Sequence, residues 1–574
     1  PIVFLQGMTG RLFREFGIVI AGAVVISSFV ALTLSPMLCS KLLKPNLNPN
    51  WFFQISERFF NWMIDVYGRS LRAFMRRPIV AGVILISSFV IVALCFTNIP
   101  SELAPSEDRD SISLQVTAQE GYSFEKMDQF MFELTDVINA VCGDNLESII
   151  VNTSPSWGGG GSNSGNARIM LTNSATRKRS QEDIADELTR EVRKLSSARV
   201  MVRQQPTIKA GRGGGGNAVQ FVIQATNLDK LREKLPEFLD EARKNTKFAF
   251  VDANLKFNKP EVRVEIDRDK AKTLKVSVQD ISQTLQFGLS GSRYGYFVMN
   301  GKQYEVIGQF DKVNRNQPLD ISSLYVRNED GVLIQMDNLI TLVEQANPPQ
   351  LYRFNRYVSA TITAQMAPGV TLGECVEELQ ATAKKTLDDS FRTDLTGQAR
   401  EMRDNSGSIV YAFVLALLLV YLSLAAQFES FRDPFIILFT VPLALAGALF
   451  SLWYFKETWN IFSQIGVIML IGLVTKNGIL IVEFANQKKE QGLNVLDAVQ
   501  DAAQQRFRPI LMTAMSTIFG ILPIALALGA GSESRVSMGI AVAGGATLAT
   551  LLTLYVIPVV YKWFSSKTVG EVQE

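Results

Sequence analysis

The chain has 574 residues, 47% apolar and only 20% charged, with a mean hydropathy of +0.14; this excludes one small module, disfavours a wholly soluble protein and points to three or four domain-sized units with several lipid-embedded segments. Lys and Arg total 57 against 55 Asp and Glu, a formal charge of +2, so total charge implies no nucleic-acid partner. With no histidine, and with Cys39, Cys95, Cys142 and Cys375 at no metal-ligand spacing, His-based catalysis, His-Cys zinc patterns and haem-type ligation are excluded as well.

The chain begins at Pro1 without Met or a signal-peptide pattern and reads as a fragment or a processed product. In chain order, apolar runs long enough to cross a bilayer occur at 16–39, 78–98, 408–427, 433–454, 461–486, 509–530 and 536–561. These predict seven spanning helices, two before and five after a polar stretch at 99–405 that is too long to be a loop. Between the first two spans, 51–77 is amphipathic, with aromatics on one face and basic residues on the other. It is expected to lie as a helix on the membrane surface. The short-loop basic residues, including Arg58, Arg69, Arg72, Arg76, Arg77, Lys488, Lys489 and Arg508, gather on one side, against only Arg11, Arg14, Lys456 and Arg535 on the other. The first side is therefore expected to be cytoplasmic and 99–405 external.

Within 99–405, alternation and periodicity predict strand Ser111–Thr117, helix 123–141, strands Leu146–Thr153 and 167–172, helix 181–195 and strand 199–203. That is the βαββαβ order of a ferredoxin-like sandwich. A second such unit starts with strand 219–225, helix 228–245 and strands near 248–257 and 261–266. It is interrupted by a separate α+β insertion at about 267–344 and completed by strand 359–365 and helix 371–387. Inside the insertion, strands 294–299 and 303–310 flank Asn300-Gly301, a strong hairpin turn. Two glycine runs, 158–161 and 213–216, lack the following Lys-Ser/Thr that a phosphate loop needs. Gly158, Gly159, Gly160 and Gly161 form either a plain connector or a mobile loop that carries Trp157 as an exposed aromatic for apolar ligands.

The first and last spans share weak similarity, GRLFREFG with TLSPMLCSK against GSESRVSMG with TLYVIPVVYK, as in a duplicated transporter half. Lys476 lies well inside an apolar run, where a lysine costs about 2.5 to 3.5 kcal/mol on insertion scales and generally faces a bundle interior or a proton path. Asn477 adds a polar group, Glu483 is seven residues on, and in the next helix Arg506 and Thr513 share one face. One polar network is expected from these groups. No Asp or Glu lies centrally in any span, so the carboxylate partner of Lys476 is expected from outside this chain.

Taken together, LVTKNGILIVEFANQ (473–487), RFRPILMTAMSTIFGILPIALALGAGSESR (506–535), LSLAAQFESFRDP (422–434), GRLFREFG (10–17) and TLSPMLCSKLLKP (33–45) make the chain resemble the resistance-nodulation-division (RND) efflux pumps. The resemblance is to the AcrB-like, hydrophobe/amphiphile multidrug branch, and to the C-terminal half of such a pump. It implies a multi-pass bacterial inner-membrane protein with a large periplasmic domain. In that arrangement 1–45 is a lead-in and first span, 46–77 the surface helix, 78–98 the second span, 401–564 five further spans and 565–574 a cytoplasmic tail. Residues 99–212 match one porter subdomain, 213–266 with 346–400 a second, and 267–345 the docking subdomain. The resemblance further implies a homotrimer with a periplasmic membrane-fusion adaptor and an outer-membrane channel, driven by the proton gradient with no cofactor. Its partners also include the lipid bilayer, and its substrates are small amphipathic compounds, with no nucleic acid and no resident metal. Lys476, Arg506 and Thr513, with Asn477 beside the lysine, match the proton relay; 155–166 falls at the glycine-rich switch loop, with Trp157 in place of phenylalanines; and Met299, Asn300, Gly301 and Lys302 fall in the docking hairpin. Within the family the alternatives are metal-ion or lipid export. The scattered Met127, Met170, Met201 and Met299 and the lack of His argue against a soft-metal path. A membrane-tethered sensor or scaffold is the reading from another class, and it needs no lysine inside a span.

Overall fold

The computed structural model describes residues 7–42, 51–105, 107–155, 161–174, 176–205, 207–208, 218–317, 319–528 and 532–565. It divides into two compact units, Pro1–Thr117 with Met127–Asn254 and Arg353–Glu574, and Ala118–Lys126 with Leu255–Tyr352.

The larger unit holds the apolar helices. Among the described residues seven are long and apolar enough to cross a membrane: Gly10–Leu42, Pro78–Asn98, Val410–Phe428, Arg432–Tyr454, Ile461–Glu490, Val495–Ala525 and Glu533–Phe564. The sequence places the run of the sixth at 509, but the helix begins at Val495, because Asn494 caps it by accepting from the Asp497 amide, and it continues through Pro509 and Pro523 to Ala525. Arg506 is thus helical. Small residues let the helices approach closely. A Cβ on Gly447 would sit 2.8 Å from Leu548 Cβ and 3.0 Å from the Gly544 carbonyl oxygen, on the closing helix Val536–Phe564.

The same unit carries two antiparallel sheets. The first is built from β1 (Ser111–Thr117), helix Phe124–Cys142, β2 (Leu146–Thr153), β3 (Ser164–Leu171), helix Gln181–Val192 and β4 (Arg199–Gln204), with strand order β2-β3-β1-β4. Ile112, Leu114 and Val116 of β1 are buried, as are Met127, Phe130, Leu134 and Ile138 of the first helix, which accounts for the period-2 and period-3.6 patterns. The chain then forms β5 (Ala218–Ala225), helix Leu228–Lys244 and β6 (Phe248–Ala253) before entering the smaller unit.

There β7 (Lys259–Ile266) pairs with β12 (Ile340–Asn347), Val264 opposite Leu342. Between them lie β8 (Ser292–Met299), β9 (Lys302–Gly308), β10 (Tyr325–Arg327) and β11 (Leu333–Gln335). This corrects the assignment of 261–266 to the second sandwich. The alternation of that segment is real, but alternation specifies a face and not a partner. The small core is Ala271, Val276, Ile281, Val326, Met336, Leu339 and Ile340. Met299 and Lys302 are register partners across Asn300 (φ 52°) and Gly301 (φ 71°), the doubly left-handed turn that a two-residue hairpin requires.

Back in the larger unit, β13 (Arg353–Phe354), β14 (Tyr357–Met366), helix Leu372–Thr386 and β15 (Arg392–Thr396) complete the second sheet in the order β6-β14-β5-β15, with β13 also on β14. Its fourth strand is therefore β15, RTDLT, a segment with no apolar alternation to announce it. The two sheets share one strand order. The chain segment that joins β2 to β3 in the first corresponds to the whole 255–352 excursion in the second.

Gly447→Val is expected to overpack the helix crossing at about 1 to 3 kcal/mol. Thermal unfolding of the detergent-solubilised protein should show a lower midpoint than for an exposed-face substitution such as Met512→Ala.

Candidate functional site

Helix Ile461–Glu490 starts from a buried polar cap. Asn460 Oδ1 accepts from the amides of Phe462 (2.9 Å) and Ser463 (3.1 Å), and Ser537 Oγ of the closing helix donates to the same oxygen at 3.1 Å. Asn460, Ser463 and Ser537 are fully buried, so the cap locks two helices together at one end. At the other end Asn486 does the same, donating to Asp433 Oδ2 at 3.1 Å and accepting from Tyr561 Oη at 2.6 Å. Both asparagines stand in plain view in the sequence, but nothing local marks them as ties between helices.

Midway along this helix, Val474, Asn477, Gly478, Ile481, Val482 and Ala485 are buried, whereas Leu473, Lys476, Glu483 and Gln487 lie exposed along one stripe. Lys476 forms no hydrogen bond or ion pair among the described residues. Asn477, rotated by one residue, turns away from it and donates to Thr550 Oγ1 at 3.3 Å on the closing helix. Glu483 accepts from Gln487 at 3.0 Å. In helix Val495–Ala525, Thr513 donates to its own-helix carbonyl at Ile510 (3.0 Å) and accepts from Thr517 (2.9 Å). Arg506 lies with Cζ 4.4 Å from the Phe484 ring centroid, and its Nε is sealed from solvent without a hydrogen-bond partner among the described residues. The single network expected from Lys476, Asn477, Arg506 and Thr513 is therefore not formed among the described residues. Arg506 reaches the lysine helix through Phe484, and Lys476 faces outward.

Of the glycine-rich loop, Trp157, Gly158, Gly159 and Gly160 lie outside the described residues. Gly161 shapes the entry to β3, its carbonyl accepting from the Ser164 amide (3.2 Å) and hydroxyl (2.9 Å).

Two connections between helix ends and sheets have no signature in the sequence. The linker after the second span lies along the start of the lysine helix: the Trp459 amide donates to the Pro100 carbonyl (2.9 Å), the Glu102 amide to that of Trp459 (3.2 Å) and the Ile461 amide to that of Leu103 (3.2 Å). On its other side Ser101 accepts from the Gly373 amide (3.1 Å) at the start of the second-sheet helix. Near the first sheet, Ser534 Oγ donates to Glu107 (2.8 Å) and the Asp108 amide to Glu533 (3.1 Å), while the buried Arg177 holds Asp108 in an ion pair. Burial acts on Asp108 in the opposite direction, but the hydrogen bonds from Arg177, Gln181 and Asp110 prevail and hold its carboxyl below the usual carboxylate range.

A cavity of about 430 Å³ lies between the two sheets, lined by Glu102, Glu182, Asp186, Gln204, Gln365 and Lys456 among others. Burial pushes the carboxyls of Glu182 and Asp186 up, and acidic neighbours add to it. The half-buried Glu102 accepts from Thr458 Oγ1. Its carboxyl is also pushed up, foremost by burial; the Thr458 hydrogen bond opposes this and the charge of Glu182 adds to it.

A bundle of long apolar helices tied at their ends to two βαββαβ sheets fits a membrane permease. The chain belongs to the AcrB/AcrD/AcrF family of RND permeases, whose family model matches residues 1–565. It is similar to an uncharacterized transporter of Haemophilus influenzae, 32% identical over 581 residues, an alignment covering 99% of this chain and 55% of that protein. The chain thus spans about half the length of that relative.

A glutamate whose folded pKa lies above its unfolded value of about 4.3 leaves the native state binding more protons, so its contribution is favourable at low pH and is lost as pH rises through that value towards the folded one. Glu102→Gln is expected to match the parent near pH 4 and to become progressively the more stable above it. Thermal midpoints in detergent at stepped pH measure this; a constant difference at all pH values would refute it.

Proposed function

We propose that this chain forms the C-terminal half of a proton-driven efflux permease of the hydrophobe/amphiphile branch, exporting small amphipathic compounds. It works as a homotrimer in the bacterial inner membrane, with 99–405 in the periplasm, and meets a membrane-fusion adaptor and an outer-membrane channel. The observation that carries this reading is Lys476, exposed within an apolar run of the sequence and with no ion partner among the described residues. In lipid a lone ammonium costs about 2.5 to 3.5 kcal/mol, so the stripe needs cover that brings a carboxylate. A second half of the protein, consistent with the 55% coverage of the relative, supplies it.

The carboxylate holds Lys476 when ionised and releases it when protonated, which makes the pair a two-state element that a proton biases. Arg506 and Thr513 shape the same relay from the neighbouring helix, and Asn477 fixes the rotation of the lysine helix by its tie to Thr550. The linker at 99–105 then carries a shift of the lysine helix to the second sheet through Ser101 and Gly373. The two sheets serve as ferredoxin-like porter subdomains at about 99–212 and 213–266 with 346–400, the second corrected at β7, and 267–345 serves as the docking subdomain. The acidic cavity suits amphiphiles with a cationic group, and Trp157 with Gly158, Gly159, Gly160 and Gly161 serves as the switch loop that the family resemblance implies.

In the full-length protein Lys476→Met is expected to lower dye efflux from energised cells at least about tenfold, the scale of a lost charge-assisted contact, at unchanged membrane level and trimer content, with Arg506→Ala and Thr513→Ala also impaired. Parental efflux by Lys476→Met would defeat the relay. Cysteines at Met299 or Lys302 should cross-link to an adaptor or outer-membrane channel in intact cells; cross-links to cytoplasmic proteins alone would defeat the topology.

A further inference from the structure

Helix Trp51–Met75 carries three distinct faces. One is moored to the bundle. Tyr67 donates to the Leu554 carbonyl at 2.6 Å and its ring stacks on Phe507 at 4.5 Å, Ser70 shares a hydrogen bond with Tyr555 (2.9 Å), and Leu71 and Met75 are buried. Glu57 and Phe60 receive Arg508, the first as an ion pair at 3.4 Å, the second with the guanidinium 4.7 Å from the ring centroid. The second face is an apolar stripe turned outward. Trp51, Ile55, Phe59, Trp62 and Val66 recur at helical spacing and are 73, 56, 53, 58 and 38% exposed. The third borders that stripe: Arg58, Arg69, Arg72 and Arg76 recur at intervals of eleven, three and four residues, all exposed, with Arg77 following.

None of these five arginines forms an ion pair among the described residues. Arg69 and Arg72 place Nε on the carbonyls of Asp65 (3.4 Å) and Gly68 (3.3 Å), which lays their stems along the helix. Asp65 is the acidic member of the row. Arg77 is also the N-cap position of the spanning helix Pro78–Asn98, so the row runs to the edge of the hydrocarbon layer. A row of guanidiniums beside a tryptophan-bearing apolar stripe matches one chemistry. The rings sit at headgroup level, the aliphatic side chains enter the acyl boundary, and the guanidiniums meet phosphate oxygens in forked pairs.

We propose that this helix is a binding site for anionic phospholipids, with Arg58, Arg69 and Arg76 holding the headgroup phosphates and Trp62 packed beside them. The charge complementarity commits the face to lipid. A helix meant for protein contact would pair its arginines with carboxylates, and a neutral bilayer would need no such row.

The test uses the full-length protein reconstituted in phosphatidylcholine vesicles containing a trace of spin-labelled phosphatidylglycerol or spin-labelled phosphatidylcholine, and reads the motionally restricted fraction of each. The parent is expected to prefer phosphatidylglycerol about threefold or more, with the preference falling as salt is raised. The triple variant R58Q/R69Q/R76Q should fall to near parity, and the charge-keeping R58K/R69K/R76K should retain most of the preference. No preference in the parent, as when another protein segment covers the stripe, would overturn the proposal. So would an unchanged preference in the glutamine variant. If the triple variant does not assemble, Arg69→Gln alone should still reduce the preference, and an unchanged value would count against the site. The readout is independent of efflux, so it stands or falls apart from the proton relay.

Discussion

A single ammonium on an apolar helix surface is the constraint around which this bundle is arranged. Lys476 stands exposed within an apolar run, while neighbouring groups that could have hydrogen-bonded to it are engaged elsewhere: Asn477 with Thr550, Glu483 with Gln487, Thr513 with its own backbone. The helix is prevented from rotating the lysine inward because both ends are fixed, by Asn460 with Ser537 at one and by Asn486 with Asp433 and Tyr561 at the other. Small residues of this helix at its crossings, Gly466 against Met538 and Gly478 against Thr440 and Ile437, leave little slack for such a turn. The charge is therefore presented outward, and among the described residues the lysine is not a member of a finished network.

The same fixed helix is bonded at its start to the linker that leads from the membrane to the sheets. Three backbone hydrogen bonds lay residues 100–103 against 459–461, and one more from Gly373 to Ser101 continues into the second sheet's helix. The lysine helix, a short hydrogen-bonded strap and a capped helix N-terminus thus stand in series, joined by backbone hydrogen bonds. The acidic residues beside the strap, Glu102 and Glu182, are held in reach of protonation above the ordinary carboxylate range by burial.

Two sheets of one strand order show where this fold accepts change. Between the second and third strands the first sheet has the short connection at 154–163, and the second has nearly a hundred residues forming a unit with its own core. Loop closure at a hairpin costs little more when the loop is lengthened, so both versions leave the sheet intact. The smaller unit in turn displays its β8–β9 hairpin with Tyr294, Phe297, Val298 and Ile307 exposed, more apolar side chain than an isolated hairpin normally leaves in water.

By itself the sequence determined the features written in local periodicity. The seven long apolar runs, the amphipathic helix at 51–75, strands β1 and β2, the Asn300-Gly301 turn and the isolated lysine all follow from hydropathy, alternation and turn chemistry within a window of a few to some twenty residues. The same resolution reached the identities of Arg506 and Thr513 but not what they touch. Only the tertiary structure decided the partners: that β7 pairs with β12 and not with the second sheet, that the plain segment RTDLT supplies that sheet's last strand, and that Asn477 faces Thr550 while Lys476 faces out. The physical reason is common to all of these. Periodicity tells which face of an element is apolar, whereas the choice of partner and the rotation about the helix axis are set by contacts between residues far apart in the chain, such as Asn477 with Thr550 and Tyr67 with Leu554.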